Sequence, residues 1–282
     1  MARHRHFTRA AEELHVAQSA LSHQIKRLEQ ELGTELFERT SRRVVPTEAG
    51  EAVAARARRV IAEIDAVHGD VDELRGLLRG RIAVGALLPA GEVEVTSVLA
   101  SFNRTYPGIE VGLREGTAGD LRALLDEGEL DAAFSLIAGD LPDSLDGIHL
   151  SDEQVVIAYP PGTAPAKSAV GPADLGGSSL ATPRSGSAIK TAVDELFAAA
   201  GESYNLSLDS GDPYLIRCLV SDGFGPAVLP ASLTRRDGPP VETRPLRPQP
   251  RLPVYLIWRR GRYRSAAAEA FIEFVRSEVA SV

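Results

Sequence analysis

Apolar residues recur along the chain in three successive rhythms. From Phe7 the first is helical. Thr8 is read as an N-cap with Glu12 and Glu13 in the first turns, and His15-Val16 breaks the helix. A second helix is predicted over 18–32 because Leu21, Ile25, Leu28 and Leu32 are spaced four, three and four, which puts them on one stripe expected to be buried. Gly33 suits the left-handed position after a helix end. Residues 35–46 then read as a short hairpin, a wing with a basic tip. The second rhythm is a heptad seam, Val53, Ala57, Val60, Ile64, Val67, Val71, Leu74 and Leu78, on a helix predicted from 47 to 78. At about 1.5 Å per residue that helix would be about 48 Å long. From Arg81 short apolar runs alternate with amphipathic stretches. Strands are predicted at 82–87, 110–114, 132–136, 154–159, 179–182, 206–208, 227–229 and 254–258, and helices near 92–106, 119–127, 187–200, 213–222 and 265–279. Alternation of this kind predicts parallel α/β sheets.

These patterns leave two polar surfaces to explain. On the helix over 18–32, Ser19, Ser22, His23, Lys26 and Gln30 fall opposite the apolar stripe, with Gln18 at the helix entrance. They are donors and acceptors of a length to reach base edges in a major groove, although a solvated amphipathic helix has the same pattern. On the wing, Arg39, Thr40, Arg42 and Arg43 would meet phosphates or the minor groove. The heptad seam is the converse case, a narrow apolar line on a helix whose other faces carry Arg56, Arg58, Arg59, Glu63, Asp65, Asp70, Asp72 and Arg75. A helix buried within its own chain would also show a seam. Gly69 and Gly76, however, each weaken the helix by about 1 kcal/mol relative to alanine, so a partner helix is the expected support. A dimer follows, with two-fold related half-sites on any DNA it reads.

Charge sharpens the division. The chain of 282 residues carries a net charge of −8, yet its first sixty residues hold eleven Lys/Arg against eight Asp/Glu. A head of +3 on a body of −11 suits a DNA-facing head, since phosphate contact needs only a local cationic surface. Near-average apolar and charged fractions predict a folded soluble protein of two domains. No stretch approaches a membrane span, the N-terminus lacks the apolar core of a signal peptide, and the expected location is the cytoplasm. Cys218 is the sole cysteine; it excludes an internal disulfide and is read as a small buried hydrophobe. No metal constellation, phosphate loop or dinucleotide turn is present, so neither a metal nor a cofactor is expected.

The ordered run Gln18-Ser19-Ala20-Leu21-Ser22-His23-Gln24-Ile25-Lys26-Arg27-Leu28-Glu29, then Leu36-Phe37-Glu38-Arg39 and Thr47-Glu48-Ala49-Gly50, closely resembles the LysR-type transcription regulators. The segments Gly80-Arg81-Ile82-Ala83-Val84-Gly85, Phe102-Asn103-Arg104-Thr105-Tyr106-Pro107-Gly108 and Gly128-Glu129-Leu130-Asp131-Ala132-Ala133 resemble the effector domain of that family. The resemblance implies a winged helix-turn-helix over 1–46, a linker and dimerisation helix over 47–80, and a two-lobed α/β effector domain over 81–282 that is similar to periplasmic binding proteins. Lobe one is placed at about 81–154 and 250–282, and lobe two at about 155–249. It implies a regulator that binds double-stranded DNA as a dimer or tetramer and responds to a small effector, with helix 18–32 as the recognition helix. His23 stands where arginine is common. The family also has a helix ahead of the position of Phe7. Residues 1–6 are too few and too polar to supply it, so Leu14, Leu21, Ile25, Leu28, Phe7 and Phe37 are expected to face water.

In such a domain ligands sit beyond the C-terminal ends of strands, where helix N-termini offer free N–H groups. The expected cleft is lined by Leu87, Leu88 and Pro89 with Ala86, by Thr117 with Gly116, by Ser135, and by Thr182, Arg184, Ser185 and Ser187, with Ser210, Asp212 and Gly223 nearby. Helix capping is an equal explanation for any one of them. A hydroxyl is common in the family after the first strand, where this chain has Leu87-Leu88-Pro89, so the effector is expected to be less acidic or to be held by backbone groups and Arg184. Two other classes compete. Ser187-Ala188-Ile189-Lys190 has the Ser-x-x-Lys spacing of acyl-transfer enzymes, but Lys190-Thr191-Ala192 and Ser221-Asp222-Gly223 fail as companion motifs, and Ser187 as a helix cap is preferred. A solute-binding protein would carry a secretion signal in place of the DNA-reading head.

Overall fold

The computed structural model describes residues 6–39, 44–73 and 79–280. It divides into a unit built on residues 1–65 and a larger one that includes 130–282.

The head consists of α1 (Phe7–Glu13), α2 (Gln18–Leu32), the antiparallel strands β1 (Phe37–Arg39) and β2 (Val44–Pro46), and the start of α3 (Glu48–Glu73). Helix α1 begins one residue before the predicted cap. His6 is the extended residue at its N-terminus and Thr8 lies inside the helix. The chain reverses through His15, at φ 52°, and α2 ends on Gly33 at φ 69° with amides of 33 and 34 folded back onto the Gln30 and Glu29 carbonyls. The stripe of α2 is not the buried face that its periodicity predicts. Leu21 and Ile25 are half-buried, whereas Leu28 and Leu32 are 36% and 49% exposed and Leu14 is 57% exposed, because no described element of the head covers them. The head's core is instead Ala10, Ala11, Leu36 and Phe37, with the Phe7 ring edge-on to Phe37 at 6.5 Å.

Two side chains of the head join its parts. Glu29 Oε1 accepts the amides of Leu36 (3.0 Å) and Phe37 (3.3 Å), which ties α2 to the first wing strand. Thr47 caps α3 by accepting the Gly50 amide (3.0 Å), donates its hydroxyl to the Glu35 carbonyl (2.7 Å), and donates its own amide to the Leu36 carbonyl (3.0 Å). Gly50 lies so close to that strand that a Cβ on it would sit 1.9 Å from the Leu36 oxygen. Along α3, Val53 is half-buried, while Ala57, Val60 and Ile64 are exposed. Val67 and Val71 lie on the helical backbone, and Leu74 and Leu78 lie outside the described residues.

The larger unit contains two five-stranded sheets. The first has the order β4-β3-β5-β12-β6 and comprises β3 (Gly80–Ala86), β4 (Ile109–Glu115), β5 (Ala132–Leu136), β6 (Leu145–Asp152) and β12 (Pro253–Arg259). The second has the order β11-β7-β10-β8-β9 and comprises β7 (Val155–Tyr159), β8 (Ser179–Pro183), β9 (Asn205–Ser210), β10 (Ala227–Pro230) and β11 (Glu242–Pro245). Both sheets are mixed, which corrects the expectation of parallel sheets: β12 runs antiparallel to β5 and β6, and β7 antiparallel to β10 and β11. Strands β6 and β11, and the short helices α6 (Pro172–Leu175) and α9 (Ala231–Arg235), were not expected.

Helices α4 (Val95–Thr105) and α10 (Ala266–Ala280) cover the first sheet through Phe102 and Phe271, whose rings meet at 4.9 Å, and α5 (Ala118–Glu127) packs Leu121 and Leu125 with Ala133 and Ile257. On the second sheet the strand period of two separates the faces. Ile157, Leu180 and Val228 share a core with Val193 and Phe197 of α7 (Ala188–Ala199), while Val156, Ala181 and Leu229 meet Ile216 and Val220 of α8 (Pro213–Ser221). Strands buried on both faces read as unbroken apolar runs, as Val155-Val156-Ile157-Ala158-Tyr159 does.

The chain crosses between the sheets at 153–154 and 246–252. The crossings are bound to each other, with the Glu153 amide on the Leu252 carbonyl (2.9 Å) and the Gln249 side chain accepting from the Val155 amide (3.0 Å) and donating to its carbonyl (2.9 Å). Helix α9 braces the first crossing. Ser232 donates both its hydroxyl and its amide to Glu153, and Arg235 and Arg236 pair with Glu92 and Glu94 of the segment after β3. Burial pushes the Glu153 carboxyl above the ordinary range, against the Ser232 bonds that favour its charged form.

Candidate functional site

The exposed face of α2 is the first candidate surface. Ser19, His23 and Lys26 are exposed on the side away from Leu21 and Ile25, Ser22 is half-buried at its border, and Gln18 is exposed at the helix entrance. Arg27 and Glu31 pair along the helix at 3.0 Å. Arg39 ends β1; Thr40, Arg42 and Arg43, at the predicted tip, lie outside the described residues.

The second surface is an open cleft in the larger unit. Leu87, Leu88 and Pro89 enter it from the end of β3, Thr117 from the start of α5, and Arg184 and Ser187 from the turn between β8 and α7. That turn is tight: the Arg184 amide donates to the Ser210 carbonyl (2.8 Å), its carbonyl accepts from the Ser187 amide (3.1 Å), and the Ser187 hydroxyl accepts the Lys190 amide (3.2 Å) as N-cap of α7. The N-termini of α5, α7 and α8 contribute lining residues, each the positive end of a helix dipole and each capped, by the hydroxyls of Thr117 and Ser187 and by the Asp212 carboxylate.

Of the expected residues, Ala86, Gly116, Ser135, Thr182, Ser185, Asp212 and Gly223 do not line this cleft. Ser135 is buried with its hydroxyl toward the Leu136 carbonyl at 3.4 Å, and Thr182 is fully buried with a hydroxyl that has no partner among the described residues. Ser185 is exposed beside the turn, and Asp212 caps α8 by accepting the Tyr214 amide at 2.9 Å. Ser210, expected nearby, does line it, and Leu136, Ile189, Gly211, Pro213 and Pro230 join from other strand ends and helix starts.

Arg184 is the cation of this lining. No carboxylate among the described residues lies within 4.0 Å of it. Its guanidinium rests on Gly211, where a Cβ would stand 2.3 Å from a guanidinium nitrogen and 2.9 Å from Cζ. Asp120 is held below the usual carboxylate range, first by the Thr117 hydroxyl (2.6 Å) and the Thr117 amide (3.1 Å), and more weakly by the Arg184 charge. The Ser187–Lys190 spacing forms no acyl-transfer pair, since Lys190 bonds Asp194 at 2.7 Å, stands over the Tyr204 ring at 5.3 Å, and is held above the ordinary lysine range by those partners despite partial burial. A lysine held as a cation is a poor base for activating a serine. Among the described residues no group of three or more metal-ligating side chains occurs, and no helix is long and apolar enough to cross a membrane.

Known proteins match both parts of the chain. Residues 1–51 match the family described as "Bacterial regulatory helix-turn-helix protein, lysR family", and residues 75–280 match "LysR substrate binding domain". The chain is 29% identical over 284 residues to the DNA-binding transcriptional dual regulator OxyR of Escherichia coli K12, covering 99% of this chain and 92% of that protein. It is 31% identical over 278 residues to a hydrogen peroxide-inducible genes activator of Pectobacterium carotovorum, covering 95% and 91%. Its fold is similar to full-length OxyR of Pseudomonas aeruginosa, with a TM-score of 0.74, 28% identity and coverage of 99% and 90%. It shares the fold of full-length CbnR bound to its target DNA, with a TM-score of 0.69, 23% identity and coverage of 98% and 95%.

Proposed function

The chain belongs to the LysR family of bacterial transcription regulators, and we propose that it reads DNA with the polar face of α2 as a dimer and is switched by a small molecule held in the cleft around Arg184. It is a DNA-binding regulator with an effector-binding domain and not an enzyme. In the proposed division of labour residues 1–46 read DNA, 47–80 dimerise and 81–282 sense, with lobes at 81–154 with 250–282 and at 155–249, in the cytoplasm. Gln18, Ser19, Ser22, His23 and Lys26 address base edges, and Arg39, Thr40, Arg42 and Arg43 hold the backbone. The seam of Val53, Ala57, Val60, Ile64, Val67, Val71, Leu74 and Leu78 pairs with its copy. Val60 and Ile64, 58% and 53% exposed in the single chain, are the observation that favours this.

Several relatives are named for peroxide, and one of the matched structures is such a protein. An internal disulfide switch needs two thiols, and this chain holds only Cys218, half-buried on α8. The proposed switch therefore forms no disulfide within the chain, and the observation that carries the reading is an open cleft whose arginine has no carboxylate within 4.0 Å among the described residues. The test is a genome-wide footprint of the purified protein. Enrichment of sites with two-fold related half-sites is expected, with altered base preference in Lys26→Ala; binding without any two-fold motif overturns the reading.

A further inference from the structure

The chemistry of the cleft narrows what enters it, and this step rests on the cleft being the effector site. Its one charged side chain is a donor alone. Arg184 offers up to five N–H groups and no acceptor. The Ser187 and Ser210 hydroxyls already accept the amides of Lys190 and Asp212 (3.2 and 3.1 Å), which leaves each with its O–H and one lone pair. Thr117 has its O–H committed to Asp120, to which it donates at 2.6 Å and from whose amide it accepts at 3.2 Å. The remaining side chains of the wall are aliphatic or proline, from Leu87 and Leu88 on one side to Ile189, Pro213 and Pro230 on the other.

We propose that the effector is a monocarboxylate with an apolar body, its carboxylate on the Arg184 guanidinium and its hydrocarbon part against the leucine and proline wall. A planar fork of donors matches one carboxylate bidentately. A second carboxylate on the same ligand would find no second cationic side chain in the lining, and the three helix N-termini beside it are already capped by Thr117, Ser187 and Asp212, so its charge would be poorly met. Phosphate esters, as near-dianions, meet the same shortage of cations. A neutral ligand would leave the guanidinium to solvent and to the Asp120 carboxylate beyond 4.0 Å, and would gain nothing from its charge.

Gly211 is the positioning residue of this arrangement. With the guanidinium lying where a Cβ would be, any side chain at 211 must push Arg184 off its seat. Gly211 is not at a left-handed φ, so alanine there disturbs Arg184 without imposing backbone strain.

The experiment is calorimetric titration of the full chain with benzoate, phenylacetate and hexanoate, against phenylacetamide and hexanol as neutral counterparts and succinate and inorganic phosphate as other anions. At least one apolar monocarboxylate is expected to bind, with its neutral counterpart at least about tenfold weaker. Arg184→Ala is expected to erase that preference, Arg184→Lys to keep part of it, and Gly211→Ala to weaken the carboxylate several-fold while leaving the melting temperature within a few degrees. Equal binding of acid and amide, tighter binding of succinate or phosphate, or no binding of any monocarboxylate at about 10 mM overturns the assignment. Ala188→Trp, which fills the cleft from the first turn of α7, separates the two levels of the argument. If a neutral or phosphate ligand is lost in that variant, the cleft is the site and its class is wrong. If a carboxylate binds the variant undiminished, the cleft is not the site.

Discussion

Replacing Gly50 by alanine sets two local effects against each other. Gly50 lies in the first turn of α3, and by helix propensity alone alanine there would stabilise by up to about 1 kcal/mol. The new Cβ, however, would stand 1.9 Å from the Leu36 carbonyl oxygen and 2.9 Å from its carbon, far inside contact distance, and the obstacle is backbone that no rotamer change can clear. Relieving such overpacking costs about 1–3 kcal/mol. The carbonyl cannot simply swing aside, because it accepts the Thr47 amide at 3.0 Å, a bond worth about 1 kcal/mol net. The balance is a join between wing and α3 weakened by about 1–3 kcal/mol. Hydrogen exchange reads this locally. The Thr47 amide and the amides of the wing strands should exchange about five- to a hundredfold faster in the variant, and operator affinity should fall with them. Exchange at the wild-type rate, or slower, would mean that propensity wins and that the close approach does not hold the head together.

Ile64→Asp should place a charge in the proposed seam and lower the mass seen by light scattering at micromolar concentration; an unchanged mass would remove α3 as the dimer contact. Lys26→Ala should change which sites are bound, whereas Arg42→Ala should weaken all sites alike and flatten the salt dependence by up to about one unit; equal loss of preference in both variants counts against the division between helix and wing. For Glu153 the folded carboxyl is raised by burial, so its contribution to stability is present below the ordinary range near 4.5 and is lost as pH rises through the folded value. Glu153→Gln, measured by urea unfolding, should therefore gain on the wild type as pH rises from about 4.5 toward neutrality, and a difference that stays flat over that span refutes the account.

The elements that sequence reasoning finds and those it misses divide by position in the sheets. Central strands such as β5 and β7 are apolar on both faces and announce themselves as unbroken runs. The two missed strands, β6 with Leu145-Asp146-Gly147-Ile148-His149-Leu150-Ser151-Asp152 and β11 with Glu242-Thr243-Arg244-Pro245, are edges of their sheets, where one side meets solvent and polar residues and proline are tolerated. Strand direction was illegible for a related reason: a run like Val254-Tyr255-Leu256-Ile257-Trp258 satisfies either orientation, and only its partners decide. In the cleft, Arg184 and Ser187 could be named because they follow a recognisable strand and open a helix. Ile189, Pro213 and Pro230 could not, since an apolar residue carries no sign that three distant segments will bring it to one wall. The exposure of Leu28 and Leu32 has the same origin, because periodicity reports which face seeks cover and not whether a cover is present.

Strand β12 lies at the interior of the first sheet, between β5 and β6, yet it is contributed after the whole second sheet has been made. The order of assembly follows from this. On an emerging chain the first sheet has β3, β4 and β5 but lacks the strand that joins β5 to β6, so β6 has nowhere to pair. The second sheet has all its strands before Pro253 is reached and can close first. Once it does, its entry and exit are neighbours, since Asp152 and Pro253 are paired across β6 and β12. A closure that would otherwise span the length between them becomes a short one, and its entropy cost falls accordingly. The inserted sheet thus delivers the last strand to its place, and a nascent chain stopped before Pro253 would expose the open edges of β5 and β6 to any other strand that met them.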